Sequence, residues 1–182
     1  MGVPKLKPKI SVVDYLEGEK TSDVRHEYLN GDIYAMSGAS KRHNRIAFKL
    51  ARLVADRTDE MDCEPFMNDV KVYVKTLNRF YYPDLIVACG DDDEDEYYVN
   101  RPTIIVEVSS PSTASTDRRE KLFAYQEIES LQEYLMIEQD TEHAELYRRR
   151  DDGLWSWITF EPGEDLELES IKFKTPLSEL YN

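Results

Sequence analysis

Glu107 lies in Ile104-Ile105-Val106-Glu107-Val108, a run whose neighbours are apolar on both faces. Such strands belong in the middle of a covered sheet, so a carboxylate there must meet a cation or several donors. A second acid, Asp84, follows Pro83 at the mouth of a similar run, Leu85-Ile86-Val87-Ala88-Cys89. If the two strands pair, their acids converge, and converging carboxylates are what a hard dication such as Mg²⁺ requires. Lys121 adds a cation. It precedes Ala124 and Tyr125 by three and four residues, on the apolar stripe of a helix that begins soon after Glu107. Two acids and an ammonium around a dication make a working set for phosphodiester hydrolysis. The ion polarises the phosphate and activates a water, and the lysine stabilises charge developing in the transition state.

Each residue also has a plainer role. Glu107 can be satisfied by Ser109, Ser112 or Lys121, Asp84 can be a turn residue after proline, and Lys121 can snorkel beside Tyr125 in a structural ion pair. Asp117 reads as a helix cap with Glu120 at the third position, and Glu27 as a cross-strand partner of Arg25, His26 or a neighbouring chain. His43, three residues before Ile46, reads as a hydrogen-bonded histidine at the edge of the core.

The elements that must position these groups alternate between helix and strand. A short helix is expected over residues 11–17, capped by Ser11. Strands 24–29 and 32–36 flank Asn30-Gly31, a strong two-residue hairpin signal. Residues 40–57 read as a helix with Ile46, Leu50, Leu53 and Val54 on one stripe. Strands follow at 69–75, 81–89 and 103–108, then a helix at 117–129. Further strands are read at 131–138, 144–150 and 154–160, the last pair closing over Asp151-Asp152-Gly153. The class is α/β, a mixed central sheet flanked by helices.

The chain of 182 residues fits one domain, with residues 1–10 as a flexible tail. Its 23 basic and 37 acidic residues give a net charge of -14, which disfavours indiscriminate binding to nucleic acid or an anionic membrane. A local positive face survives that average. Arg42, Arg45, Lys49 and Arg52 are spaced i, i+3, i+7, i+10 along one helix, a row suited to phosphates or simply to solvent, and Arg148-Arg149-Arg150 forms a second cluster. Six acids after Gly90, residues 91–96, read as an exposed loop. No apolar run approaches the roughly 18 residues that span a bilayer, and the lysine-bearing start lacks the apolar stretch of a signal peptide. With two cysteines and no Cys-x-x-Cys, a reduced, zinc-free, cytoplasmic protein is expected. Paired Tyr81-Tyr82 and Tyr97-Tyr98 read as packing or edge residues rather than base-stacking platforms, and no phosphate-binding glycine loop is present.

Tyr82-Pro83-Asp84-Leu85-Ile86-Val87, then Ile105-Val106-Glu107-Val108-Ser109-Ser110-Pro111-Ser112-Thr113, then Asp117, Lys121 and Tyr125, resemble the Uma2 family. These are restriction-endonuclease-like proteins of the PD-(D/E)XK nuclease superfamily. Upstream, Arg25-His26-Glu27-Tyr28-Leu29-Asn30-Gly31-Asp32 and His43 resemble the family's N-terminal segment, so the likeness spans residues 11–160. It implies a mixed sheet of four or five strands flanked by helices, an Mg²⁺ or Mn²⁺ ion, and cleavage of DNA. Asp84 and Glu107 match the two metal-binding acids, with the backbone carbonyl of Val108 as a further ligand. Glu27 matches an acid supplied by the N-terminal element. The superfamily places lysine two positions after the glutamate; this chain has Ser109 there, and the lysine role falls to Lys121. A homodimer suits cleavage of both strands. The competing reading is a catalytically inactive nuclease-fold module for binding or assembly.

Overall fold

The computed structural model describes residues 8–90, 95–109 and 117–182, with the side chains of residues 117 and 118 left aside. The chain begins with α1 (Val12–Glu19), the hairpin β1 (His26–Leu29) and β2 (Asp32–Ala35), and the long helix α2 (Lys41–Thr58). It continues through β3 (Cys63–Met67), β4 (Lys71–Val74), β5 (Arg79–Tyr81), β6 (Leu85–Cys89), β7 (Tyr98–Val99) and β8 (Pro102–Ser109). Helix α3 (Asp117–Gln126) leads to β9 (Glu133–Glu138), β10 (Ala144–Arg149), β11 (Trp155–Phe160), β12 (Asp165–Leu168) and β13 (Phe173–Pro176). The class is α/β, as expected, with mixed sheets and helices around them.

The central sheet has six strands in the order β11-β10-β9-β8-β6-β3, antiparallel except for the parallel β8–β9 pair that α3 connects. A second sheet runs β2-β1-β5-β4-β7, and β12 and β13 form a separate ribbon. Both faces of the central sheet are covered, which is why β6 is apolar throughout and β8 is apolar over Ile104–Val106 and at Val108. On one face, Ile46, Leu50 and Val54 of α2 pack with Leu85, Val87, Ile104 and Val106. On the other, Ile86, Ile105 and Met136 meet Ala124 and Tyr125 of α3 and Val72, Val74 and Tyr81 of the second sheet. Each of these large side chains contributes roughly 1.5–3 kcal/mol by leaving water.

Two local features place the site. Asn30 and Gly31 take φ of 49° and 101°, so β1 and β2 close through the expected tight turn. Ile10 N–H also bonds Gly31 O at 2.9 Å, tying residues just before α1 to that turn. Residues 81–89, expected as one strand, instead divide. Pro83 cannot donate to a ladder, so β5 ends in the second sheet and β6 begins in the central one. Asp84 stands at that crossing.

Other expectations change as well. The central sheet is larger than the four or five strands implied, because β3 joins its edge despite Glu64 and Pro65. Helix α1 runs on to Glu19, α3 stops at Gln126 rather than 129, and the ribbon β12–β13 adds strands that the pattern did not signal. The cysteines are not free thiols. Cys63 and Cys89 lie directly across β3 and β6, with Cα atoms 3.9 Å apart, and form a disulfide. Of the expected acidic loop at residues 91–96, Asp95 and Glu96 are exposed and 91–94 lie outside the described residues, as do the Ser112 partner of Glu107 and the side chain of the Asp117 cap. Tyr81 and Tyr82 are buried packing residues, as read. Among the described residues no helix is long and apolar enough to cross a membrane.

Candidate active site

Asp84 is held from two directions. Its N–H donates to Val106 O at 3.1 Å, and the β6–β8 register pairs Leu85 with Val106, which sets Asp84 one step further along, opposite Glu107. Its Oδ2 accepts the Val108 N–H at 2.7 Å, and its Oδ1 bonds His43 Nε2 at 2.7 Å. The histidine arrives on the first turn of α2, where Ser40 caps the helix by accepting the His43 N–H at 3.0 Å. The Asp84 bond raises the His43 pKa, with burial opposing it. His43 is hydrogen-bonded at the core edge as read, but its partner is a candidate ligand acid, so it belongs to the site.

The other acids gather round one ammonium. Lys121 Nζ lies 3.0 Å from Glu107 Oε1 and 2.9 Å from Glu27 Oε1, and all three side chains are at most about a fifth exposed. Tyr125, one turn along α3, donates its hydroxyl to Glu107 Oε1 at 2.8 Å. Desolvation pulls the Lys121 ammonium down, but Glu107 and Glu27 outweigh it, so it stays charged. Burial pushes the Glu107 carboxyl up, Lys121 draws it back, and Asp84 and Glu27 push it up again, leaving it well above the usual carboxylate range. Burial and the neighbouring Glu107 also hold Tyr125 well above the ordinary phenol range, which keeps it a donor.

The four acid and lysine positions read from sequence therefore meet in one place, and Glu27 is tied to Lys121 rather than serving only as a strand partner. The basic row is split. Arg42 bonds Asp140 O at 3.3 Å, and Lys49 reaches Glu179 O at 3.4 Å, whereas Arg45 and Arg52 are exposed on the outer face of α2. Arg148 and Arg149 are structural: the first binds Glu133 at 2.8 Å, and the second binds the carbonyls of Leu131 and Ile128 at 2.8 Å.

A divalent ion can be tested against this donor set. Two carboxylates, Glu27 and Glu107, share one lysine, and the Glu27 Oε1 atom is buried without a well-directed donor, its lysine contact lying off the angle of a hydrogen bond. Added positive charge would relieve both. Among the described residues no three His, Cys, Asp or Glu side chains stand ready as a metal cage. An ion here would instead rest on two acids completed by backbone and water oxygens, the way Mg²⁺ is commonly held. The donor set fits the ion.

Known proteins resemble this chain along most of its length. Residues 12–177 match the Uma2 family, described as "Putative restriction endonuclease". The chain is 34% identical over 175 residues to an uncharacterized protein of Synechocystis sp., slr1290, covering 96% of this chain and 92% of that one. A second uncharacterized protein from the same organism, sll1609, is 32% identical over 163 residues, with coverage of 88% and 92%. A crystal structure from Anabaena variabilis, titled as a "putative nuclease belonging to DUF820", superposes with a TM-score of 0.75 over 94% of this chain and 97% of that one. At 16% identity that likeness establishes the fold. Family description and fold together support a nuclease. The sequence match over nearly its whole length places this chain in the Uma2 family.

Proposed function

We propose that this protein is a metal-dependent endonuclease that hydrolyses DNA phosphodiester bonds. The observation that carries the reading is the meeting of Asp84 and Glu107 across adjacent buried strands, with the Lys121 ammonium 3.0 Å from Glu107. Asp84, Glu107 and the Val108 carbonyl are the ligands assigned to Mg²⁺ or Mn²⁺. When bound, such an ion polarises the phosphate and supplies a water of lowered pKa. Lys121 stays protonated and offers a fixed positive charge to the phosphate. Glu27 is a second carboxylate on that ammonium, at 2.9 Å. His43 and the Val108 N–H fix the carboxylate plane of Asp84, so its rotation is decided before any ligand arrives. Arg45 and Arg52 contribute positive charge along α2, with Arg42 and Lys49 beside them.

Glu107→Gln and Asp84→Asn should each abolish cleavage of DNA in Mn²⁺ while circular dichroism shows the fold intact at the assay temperature. Cleavage that survives either change overturns the assignment. The net charge of -14 and the double engagement of Lys121 favour a second reading, an inactive nuclease-fold module. Thermal shift separates the two: a metal site is stabilised by Mn²⁺, less so after Glu107→Gln, whereas an inactive module responds to neither. A homodimer working in the cytoplasm belongs to the same proposal. The Cys63–Cys89 disulfide is the observation that weighs against that compartment.

A further inference from the structure

A cavity of about 410 Å³ opens beside Lys121, walled by Glu27, Tyr34, Met36, Tyr81 and Glu120. Core packing does not account for Tyr34: it is 54% exposed, and its hydroxyl has no bond among the described residues. The β1–β2 register sets it directly across from Glu27, so both side chains leave the same face of the sheet. Met36, two residues on, follows on that face and extends the apolar wall. Strand β2 is an edge, and each of its residues is exposed.

An aromatic face next to a phosphate-processing centre fits a particular kind of nucleic acid. A duplex offers groove edges and phosphates and keeps the faces of its bases stacked inside, whereas an unpaired base presents a π-face that stacks on tyrosine. A second copy of this chain is the poorer occupant, because seating it here would bury Glu27, Glu120 and Lys121 together with the apolar wall. We propose that Tyr34 is a stacking platform for an unpaired nucleobase beside the scissile phosphate, so that the substrate is single-stranded or frayed DNA at the point of cleavage. This rests on the nuclease reading and narrows its substrate.

The test measures binding apart from cleavage. A short oligonucleotide carrying 2-aminopurine is titrated in Ca²⁺ as a single strand and as a blunt duplex, against wild type, Tyr34→Ala and Tyr34→Trp. Loss of one base stack weakens single-strand binding by about tenfold or more in Tyr34→Ala, with Tyr34→Trp near wild type and duplex binding unchanged. Equal single-strand affinity in wild type and Tyr34→Ala overturns the proposal, as does equal weakening on both forms, or no single-strand binding by wild type. A change in mass on gel filtration with unchanged DNA affinity overturns it in favour of a second copy. Tyr34-dependent single-strand binding by a protein that cuts no DNA removes the nuclease reading and keeps the platform. Duplex cutting indifferent to Tyr34→Ala does the reverse.

Discussion

Replacing Lys121 with Met tests whether its ammonium holds the acid cluster together. The methionine keeps much of the aliphatic length and removes the charge that lies 2.9 Å from Glu27 and 3.0 Å from Glu107. Deleting one partner of a buried ion pair costs about 3–5 kcal/mol, and these acids keep a little solvent access, so the lower end applies. For a chain of this size, about 3 kcal/mol corresponds to a fall in Tm of roughly 6–12 °C. The loss must also depend on pH. Glu107 titrates above its unfolded value, so its protonated form favours the fold: its contribution is complete below the unfolded pKa and is lost as pH rises through the folded one. Without Lys121 the folded value climbs further, and the loss grows and extends to higher pH. Melting of both proteins with chelator present, from pH 5 to 8.5, should show a small gap at the acid end that widens steadily. A gap independent of pH, or a Lys121→Met protein as stable as wild type at pH 8, would refute the charge-holding role.

Three further outcomes are expected. The Cys63–Cys89 bond closes a separation of 26 residues, so its reduction should lower stability by about 3–4 kcal/mol on the chain-entropy account; denaturant melts with and without reductant, with thiol titration, check it. Glu133 is buried and takes Arg148 Nε at 2.8 Å, the Glu169 and Ser170 N–H groups at 3.1 Å and the Ser170 hydroxyl. Glu133→Ala should cost about 3 kcal/mol and speed amide exchange in β12 and β13 before the rest of the protein. His43 titrates above its usual value because of Asp84, so its stabilising effect is full below the unfolded pKa and fades as pH rises through the folded one. Melting of His43→Ala in chelator should therefore fall furthest below wild type in mildly acidic buffer and approach it in alkaline buffer.

What the sequence made legible was whatever local pattern encodes. Glu107 and Asp84 stood out because each interrupts or borders an apolar run, and the stripe holding Ala124 and Tyr125 pointed Lys121 inward. The Asn30-Gly31 turn and the α2 stripe are equally local. Long-range relations were not legible. Strand β3 hides behind Glu64 and Pro65, residues that argue against a strand until the neighbouring β6 supplies its partner. The division at residues 82–84 depends on which sheet each half joins, and no periodicity reports that. Cysteines 26 residues apart say nothing about pairing until register sets them face to face. The basic row looked uniform along the helix, yet Arg42 and Lys49 are drawn to Asp140 and Glu179, residues about a hundred or more positions away in the chain.

The passage of the chain from one layer to the next at residues 82–84 has a mechanical meaning. Tyr73, Phe80, Tyr28 and Tyr15 form an aromatic stack that packs α1 onto the outer face of the smaller layer, with Tyr73 and Phe80 centroids 4.1 Å apart, while Val72, Val74 and Tyr81 seat that layer on the larger one. Phe80 is only four positions ahead of Asp84, while Glu107 rides on the larger layer. Any slip between the layers is therefore written directly into the gap separating the two carboxyl groups. For a dication held as proposed, affinity becomes a gauge of how the two layers are seated, and thinning the contact at Val72, Val74 and Tyr81 should be felt in the grip on that ion before it is felt in the melting of the fold.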